Sequence, residues 1–186
     1  MKMQIKGILF DFDGTIANTI DLIIATFEHT CREVLGFTPE REKIVATFGL
    51  PLPEAMIALS GTPELVETMR DAYREYNNAH HDDMIRPIPG VKETLEQLKA
   101  QGIKLAVVTS KKPPMRRGLD CLQLTQYFDV TVALGDTKES KPHPEPMLAA
   151  CAKLGVKPEE CLCVGDSPFD LQSGRSAGAQ TVAVRY

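Results

Sequence analysis

The sequence predicts an α/β fold, a parallel sheet with helices on both faces, interrupted early by an all-helical insertion. Three observations predict it. The run Ile5 to Phe10 is almost wholly apolar and ends in turn chemistry, as a strand buried on both faces does. The stretch from Ile16 to Ile85 shows helical spacing only. After the stiff connector RPIPG (Arg86 to Gly90), helix-like and strand-like segments alternate to the end.

The elements follow in order. After the first strand, Ile20, Ile23, Ile24, Phe27, Cys31, Val34 and Leu35 recur at helical spacing, and Gly36 supplies a stop. Arg41 to Phe48 and Leu52 to Leu59 read as short helices separated by Gly-Leu-Pro. Thr62 and Pro63 have the form of an N-cap followed by proline at the first helical position. Leu65, Val66, Met69, Ala72, Tyr73 and Tyr76 then mark one face of a long helix. Beyond the connector, the expected helices are Val91 to Ala100, Pro114 to Leu122, Pro144 to Leu154 and Ser167 to Ala177. The expected strands are Ile103 to Thr109, Val130 to Leu134, Cys161 to Val164 and Thr181 to Val184. The domain reading is therefore a discontinuous α/β core, 1–15 with 87–186, and a helical insertion, 16–86.

The bulk composition narrows the function. The chain has 186 residues, is 43% hydrophobic and 25% charged, and carries a formal net charge of −4. Such a balance argues against nucleic acid and anionic membranes as partners. The one dense basic stretch, Ser110 to Arg117, is short, lacks aromatics and reads as a solvated loop and helix start. The five cysteines form no CxxC pair and read as core thiols of a reducing compartment. The N-terminus shows no signal-peptide pattern and no window approaches a membrane span, so a cytoplasmic protein is expected. A monomer and a homodimer both remain open.

In an open parallel sheet, ligands bind beyond the carboxyl ends of the strands. There the first strand delivers Asp11 and Asp13, followed by Gly14. The strand AVVTSK delivers Thr109 and Ser110. The loop after VTVAL carries Lys141, and LCVGDS delivers Asp166 and Ser167, with Asp170 one helical turn on. Clustered carboxylates are tolerated around a hard cation such as Mg²⁺. Hydroxyls, backbone N–H groups and a lysine suit a phosphoryl group. One carboxylate can attack phosphorus while a second serves as acid and base. Taken singly, each piece has an ordinary reading. The acids can be an Asp-Gly turn, Thr109 and Ser110 helix caps, Lys141 a solvated loop lysine, and Asp166 and Asp170 acids at a helix N-terminus. Their arrival at matching places in one strand–helix pattern favours chemistry.

DFDGT (Asp11 to Thr15), VVTS, SKPHPEP and GDSPFD, in this order, resemble the motifs of the haloacid dehalogenase superfamily across essentially the whole chain. The resemblance implies a Rossmann-like core with a helical cap inserted after the first motif. It also implies a Mg²⁺-dependent phosphohydrolase with an aspartyl-phosphate intermediate. Asp11 would be the nucleophile and Asp13 the acid/base, with its carbonyl on the metal. Asp166 would be a metal ligand and Asp170 a support of the metal site through water. Thr109 and Lys141 would hold the phosphoryl group, with Gly14 and Ser110 among the substrate-binding residues. An aspartate at position 13 favours phosphatases and phosphomutases over members that cleave carbon–halogen bonds.

The segment ATFGLPLPEAM resembles the cap loop of phosphoglycolate phosphatases, which carries Gly49 and Leu50 over as substrate-binding residues. NTIDLIIATFEHT and YREYNNAHHDDMIRPIPGV resemble the bacterial inorganic pyrophosphatases of the superfamily. The expected substrate is a small phosphorylated compound, first inorganic pyrophosphate and then 2-phosphoglycolate. The alternatives are a β-phosphoglucomutase-type sugar phosphomutase and, more distantly, a phosphoacceptor signalling module. His80 and His81 read as helix-end surface polarity or as a contact near the substrate entrance, and His29 and His143 as surface residues. Relatives usually continue beyond the position of Tyr186 with another strand and helix, so an uncovered sheet edge is expected.

Overall fold

The computed structural model describes residues 4–48, 50–110 and 115–185. It divides into two compact units, one running to Asn18 and resuming at Arg86, the other Thr19–Ile85. The first opens with β1 (Gly7–Phe10) and β2 (Ala17–Asn18). The second contributes α1 (Ile20–Leu35), α2 (Arg41–Val45), α3 (Leu52–Ser60) and α4 (Val66–Met84). The first resumes with β3 (Arg86–Pro87), α5 (Val91–Ala100), β4 (Lys104–Val108), α6 (Met115–Cys121) and β5 (Val130–Val132). It continues through α7 (Glu145–Leu154), β6 (Cys161–Gly165), α8 (Pro168–Ala177) and β7 (Gln180–Ala183).

Five strands of the first unit form a sheet in the order β5-β4-β1-β6-β7, and every pairing is parallel. The period-2 alternation of a strand sorts its side chains to two faces. Leu9, Ala106, Val108, Cys161 and Cys163 pack with Met147, Ala150, Cys151 and Leu154 of α7 and Ala177 of α8. Ile8, Leu105, Val107 and Val164 pack on the other side with Leu95 of α5 and Leu119 of α6. The sheet is thus covered on both faces, as the near-continuous apolar runs of β1, β4 and β6 require. This is the α/β architecture expected from the sequence.

Helix α8 lies unusually close to the sheet. A Cβ on Gly174 would stand 2.7 Å from Cys163 Cβ and 2.9 Å from Thr181 Cγ2, so only glycine allows that approach.

The second unit has its own core, built from Ile24, Phe27 and Cys31 of α1, Ile44 of α2, Ala55 and Met56 of α3, and Val66 and Met69 of α4. Gly36 ends α1 at φ 76°, the left-handed stop read from the sequence.

Several local expectations are corrected. The helix expected over Arg41 to Phe48 ends at Val45 and gives way to turns, with Phe48 N–H on Val45 O and Leu50 N–H on Thr47 O. Leu50 precedes Pro51, which disfavours the helical conformation there. Strand β5 stops at Val132 because Ala133 enters a turn, its N–H donating to Asp136 Oδ2 and its carbonyl accepting from Asp136 N–H. The antiparallel pair β2–β3, Ala17 with Pro87 and Asn18 with Arg86, was not expected, since two-residue strands carry no readable period.

Cys31, Cys151, Cys161 and Cys163 are buried, but Cys121 is exposed at the end of α6. Neither histidine at the end of α4 is mere surface polarity. His81 is buried with Nδ1 3.0 Å from Asp82 Oδ1. His80 stacks on Tyr76 at 4.0 Å, and His29 stacks on the same ring at 4.4 Å. No helix among the described residues is long and apolar enough to cross a membrane.

Candidate active site

The chain leaves β1 through Asp11-Phe12-Asp13-Gly14. Phe12 is fully buried in the sheet core, and the alternation directs the flanking acids away from it. The chain then turns back at once, with the Phe12 carbonyl accepting N–H groups from Ile16 at 3.0 Å and Ala17 at 2.9 Å. Gly14 has φ 75°, a left-handed conformation. A Cβ there would sit 2.2 Å from Asp166 Oδ2, so glycine both makes the turn and leaves room for the β6 acid.

Lys141 reaches this point from the β5–α7 loop. Its side chain is buried, and Nζ donates to Asp11 Oδ1 at 2.6 Å, Asp170 Oδ1 at 2.5 Å and the Val108 carbonyl at 3.0 Å. Three acceptors satisfy the three protons of an ammonium group. Burial alone would lower the Lys141 pKa, but Asp11 and Asp170 outweigh it and raise it, so the lysine is charged.

Asp170 is fully buried and has partners on both oxygens. Oδ1 takes Lys141, while Oδ2 accepts from Ser167 N–H at 3.1 Å and Ser167 Oγ at 2.6 Å. The Asp170 N–H donates back to Ser167 Oγ, so the pair is also the capping box that starts α8.

Burial pushes the Asp11 carboxyl up to about 7; the Lys141 ammonium opposes this, and the Asp170 and Asp13 carboxylates add to it. Asp166 is pushed up to about 6, first by burial of its inner part and next by Asp170. Oxygens of Asp11, Asp166 and Asp170 lie within 4.8 Å of one another, close enough to hold a metal ion. The donor set is all carboxylate, which suits a hard divalent cation. The missing Cβ at Gly14 is what admits the Asp166 carboxylate to this cluster. The residues present therefore fit a cation whose charge would relieve this crowding of acids.

Thr109 at the end of β4 is buried, with its N–H on the Val132 carbonyl. Thr109, Ser110, Lys141, Thr137 and Ser140 line one small cleft. Asp11, Asp13, Gly14, Thr109, Ser110, Lys141, Asp166 and Asp170 thus all belong to the sheet unit, at the carboxyl ends of its strands. Leu50 lies in the helical unit and is exposed, and Gly49 lies outside the described residues. Thr137 and Ser140 were not singled out in the sequence. The only signal was their place in the loop that carries Lys141.

A family model for haloacid dehalogenase-like hydrolases matches residues 8–184. The chain belongs to that family. Among its haloacid dehalogenase-like relatives, a pyrophosphatase PpaX from Halalkalibacterium halodurans is 42% identical over 99% of this chain and 85% of its own length. A pyrophosphatase PpaX from Bacillus mycoides is 40% identical with the same coverage. The crystal structure of a protein described as a predicted phosphoglycolate phosphatase, from Haemophilus somnus 129pt, superposes with a TM-score of 0.90 at 28% identity. It covers 100% of this chain and 88% of that one. The fold is that of the haloacid dehalogenase-like hydrolases, and the chain is an enzyme of the phosphatase kind within them.

Proposed function

We propose that this enzyme is a Mg²⁺-dependent inorganic pyrophosphatase of the cytoplasm, working through a phosphoaspartate on Asp11. The observation that carries the chemistry is the Asp11–Lys141 contact of 2.6 Å beside two further acids at the strand ends. The choice of pyrophosphate rests on the likeness to the PpaX relatives. The cytoplasm is the compartment in which the buried thiols stay reduced.

Asp11 and Asp166 would hold Mg²⁺, together with the backbone carbonyl of Asp13. When bound, the ion offsets the negative charge shared by these acids and the phosphoryl oxygens. Lys141 and the Thr109 hydroxyl face the remaining phosphoryl charge. The charged lysine favours the ionised, nucleophilic form of Asp11 and opposes part of the upward push of burial. Attack by an Asp11 oxygen on phosphorus breaks the bridging P–O bond. Asp13 gives its proton to the departing orthophosphate. It then takes a proton from the water that splits the acyl phosphate, releasing the second orthophosphate and restoring Asp11. Asp170, with both oxygens engaged, holds Lys141 in place, alongside its expected part in supporting the metal site.

Orthophosphate release from pyrophosphate and from 2-phosphoglycolate, each with and without Mg²⁺, tests the proposal. A strong Mg²⁺-dependent preference for pyrophosphate is expected. Preference for phosphoglycolate would keep the chemistry and reject the substrate. Turnover unaffected by chelation would reject the metal.

A further inference from the structure

We infer that Ser173 is a positioning residue for Lys141, acting through the backbone of the loop that carries it; this rests on the phosphohydrolase reading above. The Ser173 side chain is fully buried in α8, and its Oγ donates to the His143 carbonyl at 2.7 Å. His143 stands two residues beyond Lys141, in the Pro-His-Pro stretch that joins the lysine to α7. Pro142 and Pro144 have no N–H to donate, so this stretch offers few groups by which the protein can hold it.

Helix α8 therefore grips the lysine twice, one turn apart. Asp170 takes the ammonium group at 2.5 Å, and Ser173 takes the main chain behind it. The helix is a firm support, because Gly165 and Gly174 let it approach so closely. A Cβ on Gly165 would meet Asp170 Cβ at 2.3 Å, and one on Gly174 would meet Cys163 Cβ at 2.7 Å.

The other end of the loop is fixed separately. The Glu145 carboxylate at the start of α7 accepts Glu139 N–H at 2.9 Å, and Thr137 Oγ1 donates to the Glu139 carbonyl at 2.7 Å. Between these anchors, Lys141 has a long, flexible side chain whose head must meet three acceptors at once. Without Ser173 the backbone behind it keeps its local bonds, His143 N–H to the Ser140 carbonyl at 2.9 Å and Glu145 N–H to His143 Nδ1 at 3.2 Å, but loses its tie to α8. The ammonium then shifts relative to Asp11 and to the phosphoryl group it faces.

The test compares Ser173→Ala with Ala177→Gly. The second change, one turn further along α8, weakens the helix and the same core without touching the Lys141 loop. Both are assayed with whichever of pyrophosphate and p-nitrophenyl phosphate the wild-type protein hydrolyses, alongside thermal melting and inhibition by orthophosphate. Small misplacements of a catalytic group carry large rate penalties, so Ser173→Ala is expected to lose roughly ten- to a hundredfold in kcat/KM, mostly in kcat. Inhibition by orthophosphate should weaken in parallel. Ala177→Gly, at an equal or larger drop in Tm, should stay within about twofold of wild type. Near-normal turnover of Ser173→Ala, or an equal loss in Ala177→Gly, overturns the inference. Wild-type protein hydrolysing neither compound would instead overturn the phosphohydrolase reading on which it stands.

Discussion

Phe12 separates two acids by one residue, and its burial decides where both point. A strand that ends in Asp-Phe-Asp sends its apolar middle into the core and leaves the carboxylates together at the sheet edge. Crowding there is tolerable only beside positive charge, which Lys141 supplies. Asp11→Asn should abolish turnover while circular dichroism and melting report a retained fold; measurable steady-state activity would remove Asp11 from the nucleophile's place. Asp13→Asn should lower kcat by ~10²–10⁴-fold, the usual worth of an acid/base, and a loss under tenfold would assign it another task. At Gly14, alanine meets both the left-handed φ and the Asp166 carboxylate. Gly14→Ala should therefore raise the Mg²⁺ concentration needed for half-maximal rate, as a metal titration would read. The meeting of these acids at one edge was legible, because each follows an apolar run that reads as a buried strand. The partners of Asp170 were not. Lys141 lies 29 positions away in sequence, and no local pattern links a loop lysine to a helix-start acid.

At the scale of elements, β4 and β5 are joined by more than their ladder. Asp129, just before β5, accepts Leu105 N–H at 2.8 Å and Lys99 Nζ at 2.7 Å, while its own N–H donates to the Leu105 carbonyl. Partial burial pushes its carboxyl up, but the Lys99 and Leu105 hydrogen bonds and the nearby lysines outweigh it and hold the value below the ordinary 3.8. A carboxyl lowered on folding adds stability that is present above its unfolded value and lost as pH falls through the folded one. The pair is more than a third exposed on both sides, so the contribution is below about 1 kcal/mol. Asp129→Asn should accordingly lower Tm slightly at neutral pH and flatten its decline under acid. An identical Tm–pH curve would show the clamp to be idle. The strands and helices of the sheet unit were legible from apolar runs bounded by turn residues and from helical spacing. The β2–β3 ribbon and the early end of β5 were not, since pairing over two residues and a side-chain turn at Asp136 depend on contacts no periodicity records.

At the scale of the molecule, the described residues form three hydrophobic clusters, one on each face of the sheet and one in the helical unit, and the sheet clusters share no buried residue with the helical one. Met69 is fully buried in the helical unit. Met69→Ala should cost about 2–5 kcal/mol of local stability. Hydrogen exchange should then quicken across Thr19–Ile85 first, with β1, β4 and β6 still protected. Uniform loss of protection would mean the chain unfolds as one block. The division also has an optical consequence. The protein has no tryptophan and four tyrosines. Tyr73 meets Phe27 edge-on at 5.0 Å, and Tyr76 lies between two imidazoles, both inside the helical unit. Their fixed, asymmetric surroundings should dominate the near-ultraviolet dichroism. The insertion therefore carries a built-in chromophore, and its melting can be followed without attaching a dye.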